Sequence, residues 1–166
     1  AFMVPLGLAG AISVRVGNAL GRSDPAGARL AGLVGIGIAG CFGVISATFM
    51  WLFPEAIARI YSHEPDVIDV ASRLLLLAAV FQVSDGLQAA AAGALRGSKD
   101  TRMPMLYSVF SYWAVGLSIG WWLTFAQGWG ASGMWVGLIA GLSVAAVLLG
   151  GRFWRTSRRW DRARPE

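Results

Sequence analysis

Long apolar runs separated by short charged connections organise this chain, at residues 1–19, 30–53, 66–95, 104–126 and 130–151. Each of the last four is long enough to cross about 30 Å of hydrocarbon as a helix rising about 1.5 Å per residue. The third is apolar from residue 70, and its helix is expected to begin near Pro65 and Asp66. The first reads as a truncated span, with a kink expected near Pro5. Its Gly7 and Gly10 are tolerable because neighbouring helices re-satisfy freed backbone groups in membranes. PEAIARIYS, starting at Pro54, reads as a short interfacial helix. The pattern predicts an all-α integral membrane protein, with a helical lobe over 1–151 and a basic tail over 152–166.

Charge in the connections supplies an orientation. Arg15, Arg22 and Arg29 against Asp24 give the first a net of +2, and Arg96, Lys99 and Arg102 against Asp100 give the third the same. The second carries Glu55, Glu64, Asp66 and Asp69 against Arg59 and Arg73, a net of −2. The fourth, near Gly128–Ser132, is uncharged, and the tail holds six Arg against Asp161 and Glu166. Basic and non-basic connections alternate, as successive spans require when Lys and Arg stay on the cytoplasmic side. The first and third connections and the C-terminus are therefore expected in the cytoplasm. Five spans with that orientation, and a first residue other than Met, suggest a fragment with at least one helix missing upstream.

Composition strengthens the membrane reading. Of 166 residues 56% are hydrophobic and 14% charged, against about 25% charged in a soluble domain. The net charge of +5 sits in clusters beside the spans, so it reports topology and argues against a nucleic-acid binder. RFWRTSRRWDRAR mixes Arg with Trp directly after a span, which reads as anchoring on anionic lipid. Cys41 is the only cysteine, so no internal disulfide or thiolate cluster can form, and it is expected to pack as a small hydrophobe.

Small residues recur every fourth position at Ala31, Gly35, Ala39 and Gly43, and again at Gly133, Gly137, Gly141 and Ala145. Such ladders let helices approach closely where lipid removes the hydrophobic drive to associate. GIGIAG at Gly35–Gly40 matches a dinucleotide-binding pattern, but within an apolar span it reads as packing. His63, the single histidine, sits beside Glu64 and reads as a solvated loop residue, and no hydrolase, Walker or zinc-protease motif is present. A non-enzyme without cofactor is expected.

Asp85 stands out against that background. Its nearest charged neighbours along the chain are Arg73 and Arg96, about 16 to 18 Å away on a helix, or near half a bilayer's hydrocarbon thickness. A charge at that depth is costly by a few kcal/mol, so the default reading is an ion or proton site. Gln82 and Gln88 lie three residues to either side and can share its face. Asp85 and Gln82 are the candidate cation or proton ligands, and Phe81 and Gln88 the candidate cavity lining. Beyond Na⁺ at Asp85 no metal is expected. The plainer alternative is a clamp in which these side chains only hold helices together.

PLGLAGAISVRVGNALG, the Phe53-Pro54 pair before an acidic connection, and FQVSDGLQAAAAGALRGSKDTRMPM together resemble the second half of the multidrug and toxic compound extrusion transporters, in their NorM-like branch. The resemblance implies twelve helices in two six-helix lobes forming an inverted V, with this chain supplying about five helices of one lobe. It implies exchange of H⁺ or Na⁺ for cationic amphipathic drugs across the bacterial inner membrane, with Asp85 as the essential acid of the tenth helix. It also implies that the arginine-containing loops Arg15, Gly17, Gly21 and Arg96, Gly97 shape the lobe. Implied partners are the N-terminal lobe of the same chain, membrane lipids and the drugs. Some family members carry Tyr one turn before the acid, where this chain has Phe81, so a phenolic ligand is missing there. A lipid-linked oligosaccharide flippase of the same superfamily and a structural membrane module are the alternatives.

Overall fold

The computed structural model describes residues 3–162, with side chains through residue 160. Its elements are α1 (Met3–Gly21), α2 (Pro25–Leu52), the short α3 (Pro54–Tyr61), α4 (Pro65–Gly97), α5 (Arg102–Ala126) and α6 (Ala131–Arg162). All but α3 are long and apolar enough to cross a membrane. α4 is the hub, packing on α1, α2, α3 and α6, whereas α5 rests on α6.

Helix boundaries run past the apolar runs. α2 begins at Pro25, five residues before its apolar run, because Pro fits a first helical turn and Asp24 caps it, accepting the Gly27 N–H at 2.9 Å. Arg15, Gly17 and Gly21 accordingly lie in the last turns of α1, and Arg96 and Gly97 in the last turn of α4. Neither set forms a loop. Both helices end alike: Ser23 and Lys99 take positive φ, and the Asp24 and Asp100 N–H groups bond back to the carbonyls of Ala19 and Leu95. Pro5 falls in the first described turn of α1, so a kink there would involve residues outside those described.

The ladders become interfaces. A Cβ on Gly35 would meet the Ile12 side chain at 2.3 Å, and one on Gly43 the Val83 backbone at 3.3 Å, so the first ladder faces α1 and α4. The second forms the α5–α6 seam: a Cβ on Gly137 would lie 2.4 Å from Gly120 Cα. Ala90, Ala91, Gly93 and Ala94 are buried, and a Cβ on Gly93 would sit 2.4 Å from the Ala9 carbonyl oxygen. Cys41 lies off the buried Gly35, Ala39 and Gly43 face and is exposed, contrary to the packing expected of it.

Two features have no counterpart in the apolar pattern. α5 winds as π-helix over Phe110–Leu117 and Trp122–Ala126. The i→i+5 repeat of that winding brings Ser111 and Gly116 to one side, where a Cβ on Gly141 would meet both. The segment from Arg152 continues α6 through Arg162, and Phe153 within it is fully buried against Gly32. The remainder of the expected tail, 163–166, lies outside the described residues.

The bundle's outer surface suits lipid. Trp51, Phe53, Trp121, Trp122, Phe125 and Trp129 are exposed near one set of helix ends, as in an interfacial aromatic belt. At the other end Trp154 is flanked by the Arg29 and Arg158 guanidinium groups at 5.2 and 5.5 Å from its ring centre.

Candidate functional site

The middle of α4 sends polar or aromatic side chains to α2, α5 and α6. Gln82, 9% exposed, donates from Nε2 to Ser46 Oγ on α2 at 2.8 Å. Ser143 Oγ on α6 donates to its own helix at Ile139 O, 2.7 Å away, so Ser84 is the donor in the 2.9 Å Ser84–Ser143 bond. Phe81 meets Trp135 of α6 edge-on at 5.9 Å. Gln88 donates from Nε2 to the Tyr112 hydroxyl on α5.

The polar stripe is therefore divided. Successive three-residue steps turn it around α4, so Gln82 faces α2, Gln88 faces α5 and Asp85 lies between them. The Gln82 amide, expected to share a face with Asp85, donates to Ser46. Asp85 is half-buried, and among the described residues no hydrogen bond or ion pair holds its carboxylate. Tyr112 lies within its electrostatic reach. That phenol accepts from Gln88 and keeps its own proton to donate.

Tyr112 is the residue that reading along the chain missed. It lies 24 positions from Gln88, and only the fold of α5 beside α4 brings it to Asp85. It also stands in the first π-helical segment, next to Ser111, whose hydroxyl is buried without a partner among the described residues. Because α5 rests on α6, the Gln88–Tyr112 bond bridges a loosely packed seam. Such a seam can admit a small ion or water.

Other predicted residues fall elsewhere. Arg15 and Arg96 are exposed at helix ends, and Gly17 and Gly97 set the α1–α4 crossing, where a Cβ on Gly97 would lie 2.5 Å from Ser13 O. His63 lines a cavity of about 550 Å³ at the opposite end with Glu55, Arg59 and Asp69. Among the described residues no group of three or more His, Cys, Asp or Glu is placed to hold a metal ion.

Five apolar helices on a small-residue scaffold, with Asp85 unpaired inside a span among the described residues, define a multi-pass membrane protein. Residues 1–122 match the MatE family profile, and the chain belongs to that family, the multidrug and toxic compound extrusion transporters. It is 50% identical over 158 residues to the probable multidrug resistance protein NorM of Xanthomonas campestris, covering 95% of this chain and 34% of that protein. It is 47% identical to the multidrug resistance protein NorM of Burkholderia vietnamiensis (92% and 34% covered), and 44% identical to the multidrug resistance protein PmpM of Pseudomonas aeruginosa (97% and 35%). The chain thus spans about a third of the length of the curated relatives it matches. Among solved structures it superposes on the eukaryotic MATE transporter AtDTX14 with a TM-score of 0.86 at 26% identity, covering 97% of this chain and 37% of that one. An inward-facing MATE transporter shares the fold, with a TM-score of 0.83 at 19% identity, over 99% of this chain and 39% of that one.

Proposed function

We propose that the protein carrying this chain is a multidrug efflux antiporter of the bacterial cytoplasmic membrane. It exchanges H⁺ or Na⁺ for cationic amphipathic drugs, with Asp85 as the coupling carboxylate and the C-terminus in the cytoplasm. Its nearby relatives bear the name multidrug resistance protein. The observation that carries the reading is the division of labour on α4. Gln82, Ser84 and Gln88 make the bonds that tie helices together, while Asp85 makes none. A structural clamp would have used the carboxylate. The described arginines lie in the connections or in the outer turns of the helices, away from the apolar middle of the spans, which weighs against the basic central cavity a flippase would need.

An unpaired carboxylate within a span is neutralised by a proton or a cation, and the two occupancies exclude each other. Tyr112 lies within electrostatic reach of Asp85 and keeps its hydroxyl proton to donate, which makes it the phenol of this region in place of the one absent at Phe81. Occupancy at Asp85 then biases how α4 and α5 pack across their seam. A drug favouring one packing and an ion favouring the other would yield exchange by alternating access. The test is drug-driven H⁺ and Na⁺ flux in proteoliposomes containing the full-length protein with Asp85→Asn. The expected outcome is loss of coupled flux at normal expression, and undiminished flux would overturn the assignment.

A further inference from the structure

The outer face of α1 and α2 bears a feature that the Asp85 region does not use. Two cavities run end to end along the seam between these helices and share Arg15, Gly27 and Ala31. One, about 360 Å³, lies beside the 22–24 connection and is lined also by Asn18, Arg22 and Asp24. The other, about 300 Å³, continues away from it between Leu8, Ala11 and Ile12 of α1 and Leu30, Val34 and Ile38 of α2.

The two ends differ in chemistry. Arg15 and Asn18 stand one turn apart on α1 and Arg22 follows in the connection just past its end, all three exposed and lining this end. Asp24 is the single acid lining that end, leaving a net of +1, and one of its oxygens is engaged by the Gly27 N–H at 2.9 Å. The far end is apolar throughout, with Ala11, Leu30, Val34 and Ile38 exposed along it. Gly27, Ala31 and Gly35 line it on the α2 side, with Ile12 of α1 seated close over Gly35. From Gly27 to Ile38 it runs about 16 Å, the depth of one leaflet of a layer about 30 Å thick.

We propose that this trough is a binding site for an anionic phospholipid. Arg15, Arg22 and the Asn18 amide hold the phosphate, and one acyl chain lies between α1 and α2. Guanidinium groups match phosphate oxygens in pairs of hydrogen bonds, and the long Arg15 stem reaches from within the span toward the headgroup level. A transmembrane helix seated in the trough would fill its apolar length but leave two arginines facing its end without counter-charge. The proposal is independent of the role of Asp85.

The test is native mass spectrometry of the full-length protein extracted from vesicles of mixed phosphatidylglycerol and phosphatidylcholine. The wild type should retain phosphatidylglycerol in preference. The pair Arg15→Gln and Arg22→Gln should cut that preference roughly fivefold per arginine. Ala11→Trp, which fills the trough from its exposed wall and leaves both arginines in place, should remove the bound lipid and keeps the test decisive if the double variant misfolds. Absence of preference in the wild type, or preference unchanged in both variants, would overturn the proposal. So would cross-linking of Ala11→Cys or Ile38→Cys to another segment of the same protein, which would put a helix in the trough.

Discussion

Asp85 and Asp100 belong to the same stretch of sequence and meet opposite fates. Asp100, just past the end of α4, accepts from Arg152 Nε of α6 at 2.6 Å, and the Arg152 guanidinium in turn lies over the Tyr107 ring at 6.0 Å. Asp85, inside α4, has two amides and a serine within one turn, yet each of these bonds a neighbouring helix instead. Where the fold needs a carboxylate for structure, it supplies a cation. Where the carboxylate is left free, an exchangeable partner is the physical use for it.

That contrast can be broken most directly by swapping the two losses. Asp85→Asn should reduce coupled transport to background while leaving the thermal unfolding midpoint in detergent unchanged. A destabilised but fully coupled variant would reverse the roles. Gly93→Leu should act purely on packing. The added carbons would drive into the Ala9 backbone, costing about 3 kcal/mol or more and lowering the yield of folded protein. Gly10→Leu, where a Cβ meets nothing within 4 Å, should leave yield unaltered.

Asp100→Asn comes next. The pair it breaks is largely buried, with side chains 30% and 19% exposed, so a loss of about 1 to 2 kcal/mol in stability is expected, with coupled transport retained per folded molecule. Tyr112→Phe should be mildest for the fold, about 1 kcal/mol for the lost hydrogen bond. It should also raise the ion concentration needed for half-maximal exchange. A drop in maximal rate at constant ion affinity would make Tyr112 a packing residue only.

The legibility of these regions differs for physical reasons. Spans, ladders and the short α3 were readable because hydropathy and four-residue spacing are local properties of a helix. Asp85 stood out because charge at depth is costly wherever it occurs, and the fold places it in the middle of α4. What escaped depended on neighbours far along the chain. Phe153 looks like part of a basic tail until Gly32 of α2 is seen to receive its ring. Gln82 and Gln88 can be placed near Asp85 from spacing alone, but that Ser46 and Tyr112 receive their amides appears only in the fold. The wide turns of α5 arise where glycines let it press on α6, and nothing in its apolar pattern signals them.

The central claim is that the Asp85 carboxylate exchanges its partner when drug binds. Proton release on adding a cationic drug to the purified full-length protein, measured with a pH dye in weak buffer with and without Na⁺, tests it directly. The account predicts release from the wild type and from Asp100→Asn, suppressed by saturating Na⁺ if Na⁺ is the ion held, and none from Asp85→Asn. Equal release from Asp85→Asn would contradict it.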